Sequence, residues 1–213
     1  FGSLKNKRIP RDKLRQLQRN LITSHSAGVG DYFPIEVVRA IMLLRANSLA
    51  SGNSGIRLST LETLLEMLNR GVHPAVPQQG SVGASGDLAP ISHLMLVLCR
   101  DPENDSDEDS GRAIVEQNLD RDNLRQTTVS GRQAMEDAGI QRVVLDAKEG
   151  LALNNGTNVM TAVAVLAWLE ARRLVDWSTG IFGCSLEALR GVSAAYFSRI
   201  HELRRHQGQA EIA

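Results

Sequence analysis

The chain has 213 residues, of which 42% are hydrophobic and 23% charged, a composition typical of a soluble globular protein with a sizeable core. Its 24 basic and 24 acidic residues give a formal net charge of zero, which argues against a nucleic-acid-binding or membrane-surface protein. The two cysteines, Cys99 and Cys184, form no C-x-x-C pair, which fits a reducing cytoplasm. No apolar run reaches the ~20 residues of a membrane span.

Apolar residues recur at helical spacing through most of the chain, which predicts a mainly α fold. The predicted helices cover, in chain order, residues 12–27, 35–51, 59–71, 88–99, 131–138, 155–175 and 184–191. The third is assigned a capping box, Ser59 to Glu62, and the C-terminal glycine Gly71. The helix over 88–99, with Pro90 in its first turn, is apolar on nearly all sides and is predicted to be buried. Strand signals are few, and RVVLD at 142–146 is the best of them.

Residues 101–111, DPENDSDEDSG, are predicted to be an acidic surface insertion and are the segment most expected to be disordered. The alternating aspartates come close to the pattern of a calcium loop. However, the required glycine comes one place late, at Gly111, and Arg112 stands where an apolar residue belongs. A solvated run of charge is the favoured interpretation. No pair of histidines has the spacing of metal ligands, so no metal site is predicted.

One short segment combines glycines, a serine and an acid: GSVGASGDLAPISH at 80–93, whose first part, residues 80–87, we call the serine loop. It contains no lysine and so cannot be a Walker A loop. Its G-x-x-G-x-x-G spacing differs from the dinucleotide fingerprint, and it misses the G-x-S-x-G nucleophile elbow by one residue. A plain surface turn of small residues is the simplest alternative.

A different chemistry suits the small residues of the serine loop. If the main chain bends sharply, which glycine permits, the nitrogen of Gly86 can attack the carbonyl carbon of Ala84. Loss of that oxygen as water closes a five-membered ring, and loss of the Ser85 hydroxyl as a second water leaves a methylene group. The product is an electrophile made from the main chain.

The segment at 80–93 resembles the signature of the histidine/aromatic amino-acid ammonia-lyase family, whose Ala-Ser-Gly forms the methylidene-imidazolone (MIO) group. Other segments resemble the family in the same order: FGSL at 1–4, LQRNLITSHSAGVG at 17–30, LLRANSLASGNSGIR at 43–57, KEGLALNNGT at 148–157 and RIHELRRHQGQ at 199–209. The resemblance covers almost the whole chain. It implies a mainly α, ammonia-lyase-like fold in which the serine loop leads into long packed helices.

Taken residue by residue, the resemblance implies that Ala84, Ser85 and Gly86 supply the atoms of MIO, with no external cofactor. Asp87 matches an aspartate associated with ring formation and the active site. Asn155 matches an amide near the ring and the substrate, where a neutral donor can orient without adding charge. Without the resemblance, a helix N-cap is the simpler interpretation of Asn155.

His25 is the residue most informative about the substrate, because it matches a pocket position of the histidine-type members. An imidazole can hydrogen-bond another imidazole or a phenol, whereas a phenyl ring offers no partner. The resemblance therefore implies elimination of ammonia from L-histidine to give urocanate. A tyrosine or phenylalanine ammonia-lyase or aminomutase is the alternative, since some tyrosine aminomutases share the Ser24-His25 pair. A non-catalytic helical, oligomerising relative is the alternative from another class.

The resemblance further implies a cytoplasmic homotetramer that acts on a small amino acid and binds neither nucleic acid nor membrane. Residues 1–213 are then expected to be a partial ammonia-lyase domain. The family's tyrosine motif would precede Phe1, and its second tyrosine, carboxylate-binding arginine and helical C-terminal half would follow residue 213. We expect the chain alone to be inactive. It also departs from the family in lacking the Gly-Glu-Gly turn after the buried helix and the R-P-H-x-G-Q motif near its end.

Overall fold

The computed structural model describes residues 6–120 and 123–212. The described residues divide into two compact units, with the boundary between Val163 and Ala164. The helices are α1 (Leu14–His25), α2 (Ile35–Ala50), α3 (Leu58–Asn69), α4 (Leu88–Leu98), α5 (Gly131–Asp137), α6 (Glu149–Asn154), α7 (Asn158–Ala188), α8 (Ser198–Glu202) and α9 (Gln207–Ile212). The strands are β1 (Val29–Tyr32), β2 (His73–Pro74), β3 (Pro77–Gln79), β4 (Cys99–Arg100), β5 (Arg112–Asp120), β6 (Asn123–Ser130) and β7 (Val143–Val144). The mainly α prediction is confirmed.

The core of the first unit is built around α4, the helix that follows the serine loop. Pro90 lies in its first turn, where the missing N–H has no intrahelical partner to lose. Its apolar residues are buried on most sides, as predicted. They pack with buried side chains of the neighbouring helices, including Ile22, Ile41, Met42, Leu64, Met67 and Leu153. Each fully buried side chain of this kind contributes about 2 kcal/mol of hydrophobic stabilisation.

Three small sheets connect the helices. Strand β1 pairs with β3, and β4 pairs in parallel with β7. Strand β2 pairs with β5, which forms an antiparallel hairpin with β6. The sequence analysis missed this hairpin, because polar residues interrupt the alternation of apolar residues along both strands. Ala113 and Ile114 of β5 are buried.

The start of α3 corrects the predicted capping box. The helix begins at Leu58 with Arg57 as its N-cap residue, so Ser59 lies inside the first turn. The amide and side chain of Arg57 both donate to the buried Glu149 carboxylate, at 2.9 Å for the amide and 2.6 Å for Nη2, which fixes Arg57 outside the helix. Gly71 does end the helix: it adopts φ +73°, and the next amide bonds back to Met67 O at 2.9 Å.

Two further expectations are wrong. The helices predicted at 155–175 and 184–191 are one helix, α7, because Gly180 and Gly183 each cost only about 1 kcal/mol and do not end a helix of this length. The acidic segment at 101–111 is not disordered. Its Asp105 pairs with Arg142, and the carbonyl of Asp109 accepts a hydrogen bond from Arg19.

The second unit carries many exposed apolar side chains. The Phe182 ring packs edge-on against Tyr196 at a centroid distance of 5.6 Å. The exposed apolar residues include Trp168, Leu174, Trp177, Ile181, Leu189, Val192, Phe197 and Leu203. In the part of the chain that the structure describes, no helix is both long enough and apolar enough to cross a bilayer. Within the same residues, no three His, Cys, Asp or Glu side chains are grouped so that they could hold a metal.

Candidate functional site

The serine loop lies between β3 and α4, with its tip open to solvent. Ala84 and Ser85 are exposed, Gly86 is half-buried, and Asp87 is only 1% exposed. Asp87 is also the N-cap residue of α4. The serine hydroxyl is therefore accessible while the residue that ends the loop is fixed in the core.

Gly86 is the point at which the serine loop contacts the turn between α6 and α7. It adopts φ +98°, a conformation that side chains disfavour. A Cβ at residue 86 would lie less than 3.0 Å from the carbonyl oxygen of Gly156. The Asp87 amide donates to that same carbonyl at 2.7 Å. Only glycine fits here, for reasons of both backbone conformation and space.

The Asp87 carboxylate joins the serine loop to the start of α7. One oxygen accepts the amides of Val159 and Met160, at 3.0 and 2.9 Å, and the other accepts the Ser81 hydroxyl at 2.9 Å. These amides belong to the first turn of α7, where N–H groups lack intrahelical partners. Asp87 thus does for α7 what an N-cap side chain does, from a distant segment of the chain.

Asn155 lies next to this contact. It is exposed, it is the C-cap residue of α6, and its amide donates to Leu151 O at 3.0 Å. The N-cap interpretation of Asn155 is wrong, because α7 begins only at Asn158 and its first amides are bound by Asp87. The structure therefore places Asn155 directly before the glycine that contacts Gly86.

The sequence analysis missed Arg45, a buried cation behind the same turn. Arg45 is 4% exposed; it donates to Asn158 Oδ1 at 2.9 Å and to the carbonyl of Ala152. A Cβ on Gly156 would lie less than 3.0 Å from its Nη1. Burial lowers the pKa of Arg45 to about 10, so the side chain remains charged at neutral pH. An arginine within the apolar sequence of residues 35–51 was the signal that could have revealed it.

His25 is the last residue of α1 and is half-buried. Its Nδ1 lies 2.8 Å from the carbonyl of Leu21 and 3.1 Å from the Ser24 hydroxyl. Because a carbonyl can only accept, Nδ1 carries a hydrogen, and in the neutral ring Nε2 then presents a lone pair. Among the described residues, Nε2 has no hydrogen-bond partner. His25 can therefore accept a hydrogen bond from a ligand.

The segment after His25 is attached to the segment that leads into the serine loop. Strand β1 begins four residues after His25 and pairs with β3, with Val29 opposite Gln79. No hydrogen bond joins His25 to Ala84, Ser85 or Gly86 within the described ranges. The candidate residues thus fall into two groups, one around Gly86 and one around His25, that are connected through the β1–β3 pair.

The whole sequence, residues 1–213, matches the family described as aromatic amino acid lyase. It is 49% identical over 213 residues to a histidine ammonia-lyase of Alkaliphilus oremlandii, covering 100% of this chain and 38% of that protein. A solved phenylalanine aminomutase of Pantoea agglomerans superposes with a TM-score of 0.84 at 35% identity, over 100% of this chain and 37% of that one. A solved histidine ammonia-lyase of Trypanosoma cruzi superposes with a TM-score of 0.82 at 35% identity, over 98% of this chain and 37% of that one.

These similarities confirm the predicted ammonia-lyase-like fold, and the chain spans about 38% of the length of the curated relatives it matches. The segments that suggested the family include the serine loop and the His25 and Asn155 segments that the fold connects to it. The chain belongs to the aromatic amino acid lyase family.

Proposed function

We propose that the protein containing this chain eliminates ammonia from L-histidine to give urocanate, with an MIO group formed from Ala84, Ser85 and Gly86. The observation that carries the proposal is the contact of Gly86 with Gly156, which holds the serine loop at a positive φ that only glycine tolerates. Relatives of this chain that are named histidine ammonia-lyases, at 44–49% identity, support the choice of substrate.

The residues present fit the MIO group. Ring closure needs small residues at positions 84 and 86, and both positions have them. The Gly86 position has no room for a side chain, and the Asp87 amide is fixed by Gly156 O at 2.7 Å. The loop is therefore anchored directly after the nitrogen that must attack the Ala84 carbonyl. The exposed Ser85 hydroxyl can leave as water into solvent.

The bound group supplies an electrophile, which the reaction needs because the β-proton is weakly acidic and the amine leaves poorly. This chain's own residues bind and orient. Asn155 offers an amide next to the loop, and it adds no charge that would repel the substrate. The Nε2 lone pair of His25 can accept the N–H of a substrate imidazole. The family resemblance assigns the base that removes the β-proton to a tyrosine outside residues 1–213.

His25 favours a substrate whose ring carries a hydrogen-bond donor. Its Nδ1–H is engaged by Leu21 O, so Nε2 is the ring nitrogen available to the ligand. Histidine offers a ring N–H and tyrosine a phenol O–H, whereas phenylalanine offers neither. A ligand that leaves the Nε2 acceptor without a donor loses kcat/KM, so phenylalanine should be the poorest of the three substrates.

We also propose that the complete protein is a homotetramer located in the cytoplasm. The exposed apolar side chains of residues 164–213 support an assembly, because large contiguous apolar surfaces on soluble proteins usually mark interfaces. Light scattering of the complete polypeptide should give four times the mass of one chain. A monodisperse monomer would contradict this part of the proposal.

Mass spectrometry of the complete polypeptide tests ring formation directly. The wild type should be lighter than its sequence by two water molecules, and Ser85→Ala should have its full sequence mass and no turnover. Ser59→Ala, at an exposed position on α3, is the matched control and should still lose the two waters. A correctly folded wild type with its full sequence mass would refute the proposed cofactor.

Product analysis tests the substrate and the reaction type. With L-histidine, the complete wild-type protein should yield urocanate and ammonia, at a higher kcat/KM than with L-tyrosine or L-phenylalanine. His25→Phe should lower kcat/KM for histidine about 100-fold, since the substrate N–H loses its acceptor. A β-amino acid product would instead assign the protein to the aminomutases. A preference for tyrosine would change the substrate but leave the ring chemistry intact.

A further inference from the structure

His93 has no role in the reaction described above. It lies on α4, the helix that follows the serine loop, and it is half-buried. Its sequence context, a helix predicted to be buried, indicates no function for it. In the structure its Nε2 lies 3.0 Å from the amide nitrogen of Gly28, only three residues after His25.

The geometry defines the state of the His93 ring. A backbone amide can only donate, so Nε2 must carry a lone pair, and the ring is neutral with its hydrogen on Nδ1. Burial lowers the pKa of His93, which also favours the neutral form. The bond from Gly28 is therefore present at neutral pH.

Gly28 is packed tightly on both sides. A Cβ there would lie 3.1 Å from His93 Nε2 and 3.2 Å from the carbonyl oxygen of Gln79. From the other direction, a Cβ on Gly80 would lie 2.9 Å from the Cα of Gly28. Gly28 is thus enclosed between the His93 ring and the first residue of the serine loop.

The chain between Gly28 and His25 is short and internally bonded. The Ala27 amide donates to the His25 carbonyl at 2.8 Å, and the Ser26 hydroxyl donates to Ile22 O at 2.9 Å. A shift of Gly28 is therefore transmitted to the end of α1, where His25 sits. The contact with Gly80 ties the same glycine to the loop that carries Ser85.

We propose that His93 is a positioning residue for substrate recognition: by accepting the Gly28 amide, it fixes the His25 segment against the serine loop. His93 acts through Gly28 and need not contact the substrate. The inference rests on the proposed function, because it assigns His25 to the substrate pocket. The proposal assigns His93, on α4, the role of determining the position of His25 relative to Ser85.

Two variants of the complete protein separate this role from simple core packing. His93→Leu keeps an apolar side chain but removes the acceptor, whereas His93→Gln restores an acceptor oxygen near the place of Nε2. His206→Leu, at an exposed histidine, is the control. His93→Leu should raise KM for L-histidine about tenfold, the effect of one lost hydrogen bond, with kcat nearly unchanged. His93→Gln should stay within about threefold of the wild type.

A double-mutant cycle and a structural measurement make the test decisive. In a His25→Ala background, His93→Leu should produce no further loss of kcat/KM, because the residue it positions is gone. Amide hydrogen exchange of residues 25–30 should speed up in His93→Leu and not in His93→Gln. Additive losses, or unchanged exchange in His93→Leu, would overturn the inference.

Intact mass distinguishes failure of this inference from failure of the proposed function. All variants should show the loss of two water molecules, because His93 does not form the ring. If the wild type itself shows no such loss, the proposed function fails, and this inference fails with it. If the mass loss is present but His93→Leu and His93→Gln behave alike, only the positioning role is refuted.

Discussion

The Asp87 carboxylate accepts the amide of Met160 at 2.9 Å, across 73 positions of sequence. This bond, with its neighbour from Val159, makes the last residue of the serine loop the cap of the longest helix in the described structure. The serine loop and α7 therefore depend on each other. A substitution in the serine loop should therefore change the stability of α7, and a substitution at the start of α7 should change the conformation of the loop.

Replacing Asp87 tests this dependence. Asp87→Ala leaves two first-turn amides of α7 and the Ser81 hydroxyl without their acceptor, which should cost about 2 kcal/mol of unfolding free energy in urea. Asp87→Asn retains one acceptor oxygen and should cost about half as much. Asp12→Asn, at an exposed position, should change stability by less than about 0.5 kcal/mol. Equal stability of Asp87→Ala and the wild type would show that the cap contributes nothing.

Gly86 and Gly52 form a matched pair of glycines. Both have a positive φ, +98° and +78°, but a Cβ on Gly52 would meet no atom within 4 Å, whereas one on Gly86 would collide with Gly156. Gly52→Ala should therefore cost only the backbone term, about 1 kcal/mol. Gly86→Ala adds an overpacking term of about 1–3 kcal/mol and should prevent the loss of two waters. Equal effects of the two substitutions on stability and mass would refute the steric argument.

Arg45 should stabilise the turn of residues 155–157 between α6 and α7, because it binds residues on both sides of that turn. Arg45→Met removes the donors to Ala152 O and Asn158, and should cost about 2 kcal/mol because hydrogen bonds from a charged group are strong. Arg45→Lys keeps the charge but cannot reach both acceptors in a fixed fork, so it should recover only part of that loss. Arg11→Met, at an exposed position, serves as the control. The measurement is urea unfolding combined with intact mass, and full stability of Arg45→Met would contradict the role.

Glu149 should make stability sensitive to acid. Burial alone raises the pKa of this carboxyl, but hydrogen bonds from Arg57, two backbone amides and Thr60 outweigh it and hold the pKa below its ordinary 4.5. The contribution is therefore complete above the unfolded pKa near 4.5 and is lost as pH falls through the lower folded pKa.

Glu149→Gln provides the measurement. At pH 7 it should cost about 2 kcal/mol, since the amide replaces a charged acceptor that is 1% exposed. The difference from the wild type should shrink as the pH falls from 4.5, where the carboxyl of the unfolded chain becomes protonated, through the lower folded pKa, where the folded carboxylate is protonated as well. Glu62→Gln, on the exposed side of α3, should track the wild type at every pH. A gap between Glu149→Gln and the wild type that stayed constant with pH would contradict the sign of the shift.

The sequence predicted those parts of the fold that depend on local patterns. The periodicity of residues 35–51 and the all-round hydrophobicity of 88–99 located α2 and α4, because both signals come from contiguous residues. The β5–β6 hairpin and the true start of α3 escaped prediction. The position of Arg57, for example, is decided by Glu149, a residue 92 positions away that no local window includes.

The candidate site divides in the same way. The motif at residues 80–93 suggested Ala84, Ser85, Gly86 and Asp87 as site residues, yet nothing in the motif indicates that Asp87 binds the start of α7 or that Gly86 contacts Gly156. Arg45 and His93 lie in helices whose patterns indicate packing alone. Their importance arises from contacts with glycines distant in sequence, and such contacts leave no spacing that can be read along the chain.

The contact of Gly86 with Gly156 also has a consequence for the order of folding and ring formation during synthesis. On the ribosome, residue 86 leaves the exit tunnel long before residue 156 does, so the nascent serine loop lacks its contact with Gly156. On the proposed function, the serine then stays an ordinary hydroxyl amino acid until the start of α7 has emerged and docked. The nascent chain would therefore carry no electrophile while it is still unfolded and exposed to cellular nucleophiles.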